Sequence, residues 1–206
     1  MNLLTDNLPY TVSVNGRNYH IVTHWKDWVR FCCMLEDPDL RKREKTAVAM
    51  RYFTDEKPDD IIAAVQALLD FSVCKDIPHA GIENNQKQAA KKAACFSWIY
   101  DAPFVLSAFR QCYSIDLSKS DMHWYVFLAL FQGLPEDVPL KKRIQLRAVC
   151  ISDIKDSDRR LEIIQAQEAI ALPHTELQES EIDGNIFDGF FMEDGGEETE
   201  WHLTDI

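Results

Sequence analysis

The run His123-Trp124-Tyr125-Val126-Phe127-Leu128-Ala129-Leu130, closed by Gly133-Leu134-Pro135, leaves a helix almost no polar face. Trp124, Phe127, Leu128 and Phe131 fall on one side, and Met122, Tyr125 and Ala129 make the other side apolar too. A helix apolar nearly all round is stable in water only when other elements cover it, so this one is expected to be the central helix of a bundle. Its entry is polar, and Ser118-x-x-Asp121 or Ser120 is the expected cap.

The rest of the chain supplies the covering elements. Tyr10, Val12 and Val14 alternate before Asn15-Gly16, and Arg17, Tyr19 and Ile21 alternate after it, which predicts a β-hairpin within Leu8 to Val22. Trp25, Trp28, Val29 and Cys32 then recur at helical spacing up to Asp37-Pro38, and Val48, Ala49, Tyr52 and Phe53 form a second, shorter stripe. Pro58-Asp59-Asp60 opens a helix with Ile61, Val65, Leu68 and Leu69 on one face. Asp101 is the expected N-cap of a helix with Pro103 in its first turn and Val105, Ala108, Phe109 and Cys112 along one face. Leu140, Ile144, Ala148 and Ile151 predict a further helix with Lys141, Lys142, Arg143 and Arg147 on its wet side. Asp156-Ser157-Asp158 starts another, carrying Leu161, Ile164 and Ala171 and stopping before Pro173.

The expected fold is mainly α: an N-terminal β-hairpin followed by a helical bundle, with a flexible acidic C-terminal tail. Residues 1–75 form the hairpin plus helices, 76–95 a linker or solvated helix, 96–173 the second helical half of the same bundle, and 174–206 the tail. Charge marks the last boundary. Of 34 acidic and 22 basic residues, eleven acids and no Lys or Arg follow Pro173, so 23 acids and 22 bases remain in the nearly neutral body. Four of the seven glycines also lie beyond it. No run of about 18 apolar residues occurs, and the first residues lack a basic region followed by an apolar stretch, so a soluble intracellular protein without membrane contact is expected.

The residue types that carry chemistry do not converge. The six cysteines (32, 33, 74, 95, 112, 150) have no Cys-x-x-Cys spacing and are expected to be small buried apolar side chains. His20 and His24 span a strand end and a turn, where a shared metal is not expected. His123 lies near Asp116 and Asp121 but has no visible nucleophile, so its ring is expected to satisfy a cap or a neighbouring carbonyl beside a core Trp. Gly16, Gly81 and Gly133 fall in separate turns, which gives neither a phosphate cradle nor a nucleophile elbow. The expectation is a protein that is not an enzyme and uses no metal or cofactor. Arg41-Lys42-Arg43-Glu44-Lys45 and Lys141-Lys142-Arg143 read as solvated faces, and the net charge of −12 opposes nucleic-acid binding.

Phe187, Phe190, Phe191 and Trp201 sit within the acidic tail, where a solubilising segment has little use for them. They are the candidate partner-binding residues, in a segment that orders on contact; the alternative is that they fold back on an apolar groove of the body.

The wording of the central helix, with Phe96-Ser97-Trp98-Ile99-Tyr100-Asp101, Ala108-Phe109 and Tyr113-Ser114-Ile115-Asp116-Leu117 upstream, resembles the bacteriophage family named after gene product fifteen of a long-tailed phage. The likeness extends to Arg147 through Ile154, to Ile163 through Pro173 and, more loosely, to Thr23 through Trp28, covering most of residues 8–173. It implies a tail assembly chaperone in the host cytoplasm. Such a protein binds the tape measure protein, keeps it soluble and helps tail-tube protein gather on it; homo-oligomerisation is compatible with that role. Two other readings stand beside it: a minor structural tail protein of the virion, or an acidic nucleic-acid mimic that inhibits a basic host protein. The acidic tail matches no motif of the family.

Overall fold

Asn15 and Gly16 take φ angles of 51° and 81°, the pair of positive values that a two-residue hairpin turn requires. They join β1 (Thr11–Val14) to β2 (Arg17–His20), in antiparallel register from Thr11 opposite His20 to Val14 opposite Arg17. The computed structural model describes residues 1–77 and 95–173. Among them, seven α-helices follow the hairpin: α1 (Trp25–Glu36), α2 (Lys42–Ala49), α3 (Ile61–Ser72), α4 (Ala102–Tyr113), α5 (Trp124–Gln132), α6 (Pro139–Ala148) and α7 (Ser157–Ala169). The protein is mainly α with an N-terminal hairpin, as its periodicities indicate. The expected linker falls largely on residues 78–94 and the acidic tail on 174–206, both outside the described residues.

Val12 and Val14 turn inward and β1 packs on α3. Tyr10, expected to extend that inward row, is instead 58% exposed. It precedes the strand and lies edge-on to the His123 ring at 5.5 Å.

In α1 the buried residues are Trp25, Trp28, Phe31 and Met34. That row differs from the expected Trp25, Trp28, Val29 and Cys32, because the rings at three-residue spacing find aromatic partners on other elements. The Trp28 ring lies 4.6 Å from Phe71 and 5.3 Å from Tyr52, and its Nε1 donates to the Val22 carbonyl at 2.8 Å. Asp60 caps α3 by accepting from the Ala63 N–H at 3.0 Å.

Helix α5 holds the middle through its first turn. Phe127 is stacked between Trp25 at 4.7 Å and Phe109 at 5.1 Å. The Trp124 indole donates to the Ser72 carbonyl at 2.9 Å, joining α5 to the end of α3. The cover is not complete: Val126 and Ala129 are exposed, because only the face carrying Trp124, Tyr125 and Phe127 is inserted. At Gly133 the constraint is space rather than φ. A Cβ there would stand 3.3 Å from the Ala129 carbonyl oxygen and 3.4 Å from the Tyr113 hydroxyl, which donates to the Leu130 carbonyl.

Two expectations at the far end of the bundle are corrected together. Asp101 occupies the N-cap position of α4 without a side-chain cap bond. Its fully buried carboxylate instead receives a two-pronged pair from Arg147, at 2.6 and 3.0 Å, and the Ser97 N–H at 3.1 Å. Arg147, expected on the wet side of α6, is thus 6% exposed, and Arg143 reaches 3.7 Å from the same carboxylate while lying 4.3 Å over the Phe104 ring. A buried carboxylate is tolerable only when its lone pairs are met, and the planar fork of arginine meets two at once.

Arg147 also holds α7, none of whose residues is fully buried. Its Nε donates to the Ile170 carbonyl at 2.8 Å, and Gln167 donates to the carbonyls of Leu146 and Val149. Leu161, expected in a core stripe, is 57% exposed. The cysteines also depart from expectation: Cys74 is buried, Cys32, Cys33, Cys95 and Cys112 are partly so, and Cys150 is exposed.

Removing one partner of this ion pair strands the other. Arg147→Ala should cost about 3–5 kcal/mol in urea denaturation, and Asp101→Ala with Arg147→Ala should cost less than the sum of the two single changes. A loss below about 1 kcal/mol for Arg147→Ala would show that the pair does not hold this end of the bundle.

Candidate partner-binding groove

Helices α1 and α5 begin at the same place. Thr23-His24-Trp25 and Met122-His123-Trp124 run antiparallel as an isolated bridge, with the Trp25 N–H donating to the Met122 carbonyl at 3.1 Å and the Trp124 N–H to the Thr23 carbonyl at 2.8 Å. Each histidine then caps its own helix. His24 Nδ1 accepts from the Lys26 N–H at 3.2 Å, and His123 Nδ1 accepts from the Tyr125 N–H at 3.1 Å. With Nδ1 accepting, His123 Nε2–H donates to the Pro9 carbonyl at 2.8 Å. The ring is therefore a structural cap beside a core Trp, as its sequence context suggests, but the cap of α5 is His123 rather than Ser118 or Ser120.

This use of both ring nitrogens fixes the neutral form of His123. Burial pushes its pKa below the usual histidine value, against a smaller opposing effect of the Pro9 carbonyl. His24 has Asp121 at 3.5 Å and Asp27 at 3.9 Å. Among the described residues no cluster of three or more His, Cys, Asp or Glu side chains has the geometry to hold a metal ion. The basic runs are drawn into the body's own contacts: Arg41 pairs with Glu44, Lys45 reaches the Leu35 carbonyl, and Lys141 approaches Glu136.

Beside the bridge, α1, α4 and the loop before α5 enclose an open groove of about 360 Å³. Its floor is apolar and buried, formed by Trp25, Val105, Leu117 and Phe127. Its walls include Val29, Trp98, Ala102 and Leu106, with Leu106 48% exposed. Among the described residues, Lys26 and Arg30 are the charged ones that line it, and no carboxylate does. Lys26 Nζ lies 5.6 Å from the Trp25 ring centre and donates to the Ser118 carbonyl, while Arg30 pairs with Asp27. The arrangement offers an apolar seat edged with positive charge.

The candidate partner residues Phe187, Phe190, Phe191 and Trp201 lie outside the described residues. The groove itself escaped sequence reasoning, because Trp25, Trp98 and Phe127 read equally well as core. One signal was present: Leu106 is a surplus apolar residue next to the stripe of Val105, Ala108, Phe109 and Cys112.

The histidine cap predicts a pH dependence with a defined sign. A His pKa lowered on folding leaves stability intact above the unfolded value, about 6.5, and removes it as pH falls from there through the folded value. Glu36, whose carboxyl is pushed up by burial beside Ser97, acts oppositely and gains as pH falls through its raised folded value. His123→Asn keeps a competent cap but cannot titrate, so urea midpoints at pH 7.5, 6.5 and 5.5 should fall less for it than for the unaltered protein. Equal slopes would remove His123 from the acid response.

Residues 4–172 match the model of the family described as Bacteriophage Gp15 protein. No curated protein and no solved structure matches the chain. The family match takes in the hairpin, the paired His-Trp starts, the groove and the Asp101–Arg147 pair, and the chain belongs to the bacteriophage Gp15 protein family.

Proposed function

We propose that this Gp15-family protein is a phage tail assembly chaperone, which binds the tape measure protein in the host cytoplasm and assists the gathering of tail-tube protein on it. The observation that carries the reading is the family match over residues 4–172, nearly the whole body. The physical task is one of cover rather than catalysis. A long helical protein with apolar stripes exposes surface that associates with any similar surface until the tube encloses it. A binding protein that needs no reacting group is suited to that task, and the action proposed is non-enzymatic.

Co-expression with the tape measure protein from the same phage tests the proposal. The expected result is a soluble tape measure protein that co-purifies with several copies of this chain and is insoluble without it. Recovery of the tape measure protein only in inclusion bodies, with or without this chain, would overturn the assignment. Stoichiometric presence of the protein in purified particles would move it to the structural tail proteins.

A further inference from the structure

The end of α7 and the wall of the groove are separated by one guanidinium group. Arg147 donates from Nε to the Ile170 carbonyl and from its two terminal nitrogens to Asp101, and Asp101 immediately precedes Ala102 in the groove wall. The chain that continues beyond Pro173 therefore leaves the body beside the groove. From Ile170 to Ile186 it has sixteen residues, which extend to about 55 Å at most, against a radius of gyration of about 15 Å for a body of this size.

What arrives on that span has the composition the groove lacks. Ile186-Phe187-Asp188-Gly189-Phe190-Phe191-Met192 offers five apolar side chains, with Asp183, Asp188, Glu193 and Asp194 within and around them. The groove offers an apolar floor and, in Lys26 and Arg30, two cations without a lining carboxylate. Arg30 pairs with Asp27 at 2.6 Å, but its side chain is 72% exposed, which leaves its other N–H groups open to a second carboxylate. Tethering close to the groove raises the effective concentration of this segment toward the millimolar range, and covering the exposed part of the groove removes apolar surface from water.

We propose that the groove between α1 and α4 is the docking site of residues 186–192 of this same chain. Its phenylalanines lie on Trp25, Val105, Leu106 and Phe127, and its carboxylates face Lys26 and Arg30. The segment lies beyond the family match, which ends at residue 172, and any partner using the groove must displace it.

Hydrogen exchange read by mass spectrometry on the full-length protein alone tests this, and needs no tape measure protein, so its outcome is independent of the chaperone assignment. The expected result is exchange across 186–192 slowed by about tenfold or more relative to an unprotected peptide. That protection should be lost in Leu106→Glu and in Ala102→Glu, both at exposed positions where the fold tolerates a charge, while Lys26→Ala and Arg30→Ala reduce it. The triple change of Phe187, Phe190 and Phe191 to Ser should raise exchange in the groove-lining parts of α1 and α4. Exchange of 186–192 at the unprotected rate, or protection indifferent to Leu106→Glu and Ala102→Glu, overturns the proposal. Protection that grows with protein concentration alongside a dimer in sedimentation assigns the groove to a second copy and overturns it as well.

Discussion

The antiparallel bridge between Thr23-His24-Trp25 and Met122-His123-Trp124 is the contact on which the other arrangements depend. A helix start leaves backbone N–H groups without intrahelical partners, and two buried starts double that demand. Here the demand is met reciprocally. Each Trp N–H bonds to the carbonyl two residues before the opposing Trp, and each His Nδ1 takes the next N–H of its own helix. With those four donors satisfied, Trp25 and Trp124 enter the core from opposite helices and both meet Phe127. The hairpin is drawn in by the same residue, since His123 Nε2–H donates to the Pro9 carbonyl.

Local chemistry made much of this legible. Asn15-Gly16 dictates its own φ values, Asp60 and Asp156 cap where they stand, and the apolar spacing around Trp28, Leu68 and Phe109 identifies the core faces. What escaped are the features whose cause is distant in sequence. Histidine is an ordinary cap only because the bridge fixes its ring, and the bridge joins positions 99 residues apart. Ser118 and Ser120 looked better suited to capping α5 on residue type alone, yet Ser118 turns to Asp116 and Ser120 to the Leu117 carbonyl. Arg147 shares its helix with three other basic residues; only its partner, Asp101 on α4, takes it out of solvent.

That ion pair is weak evidence for added stability, because an apolar pair of the same volume packs as well without the desolvation cost. Its geometric effect is less replaceable. One guanidinium orders the segment before α4 through the Cys95 carbonyl, the start of α4 through Asp101, and the end of α7 through the Ile170 carbonyl. Three parts of the chain are thereby brought to one point. Helix α7, with no fully buried residue, is held by these polar bonds and partly buried contacts.

The bridge and the ion pair therefore have separate consequences that meet at the groove. The bridge sets α1 and α5 so that Trp25 and Phe127 stack, which makes the floor. The ion pair sets the start of α4, which makes the wall, and fixes the point from which the chain leaves α7. A nearly neutral body carrying an apolar groove with two cations is thus joined, beside that groove, to a segment with eleven acids and no Lys or Arg. Charge attraction alone contributes little between exposed groups, so a segment that only repelled its own kind would need no phenylalanines. Apolar side chains spaced among acids instead match a seat whose floor is aromatic and whose edge is positive, and the short path from Ile170 makes that seat local to the segment.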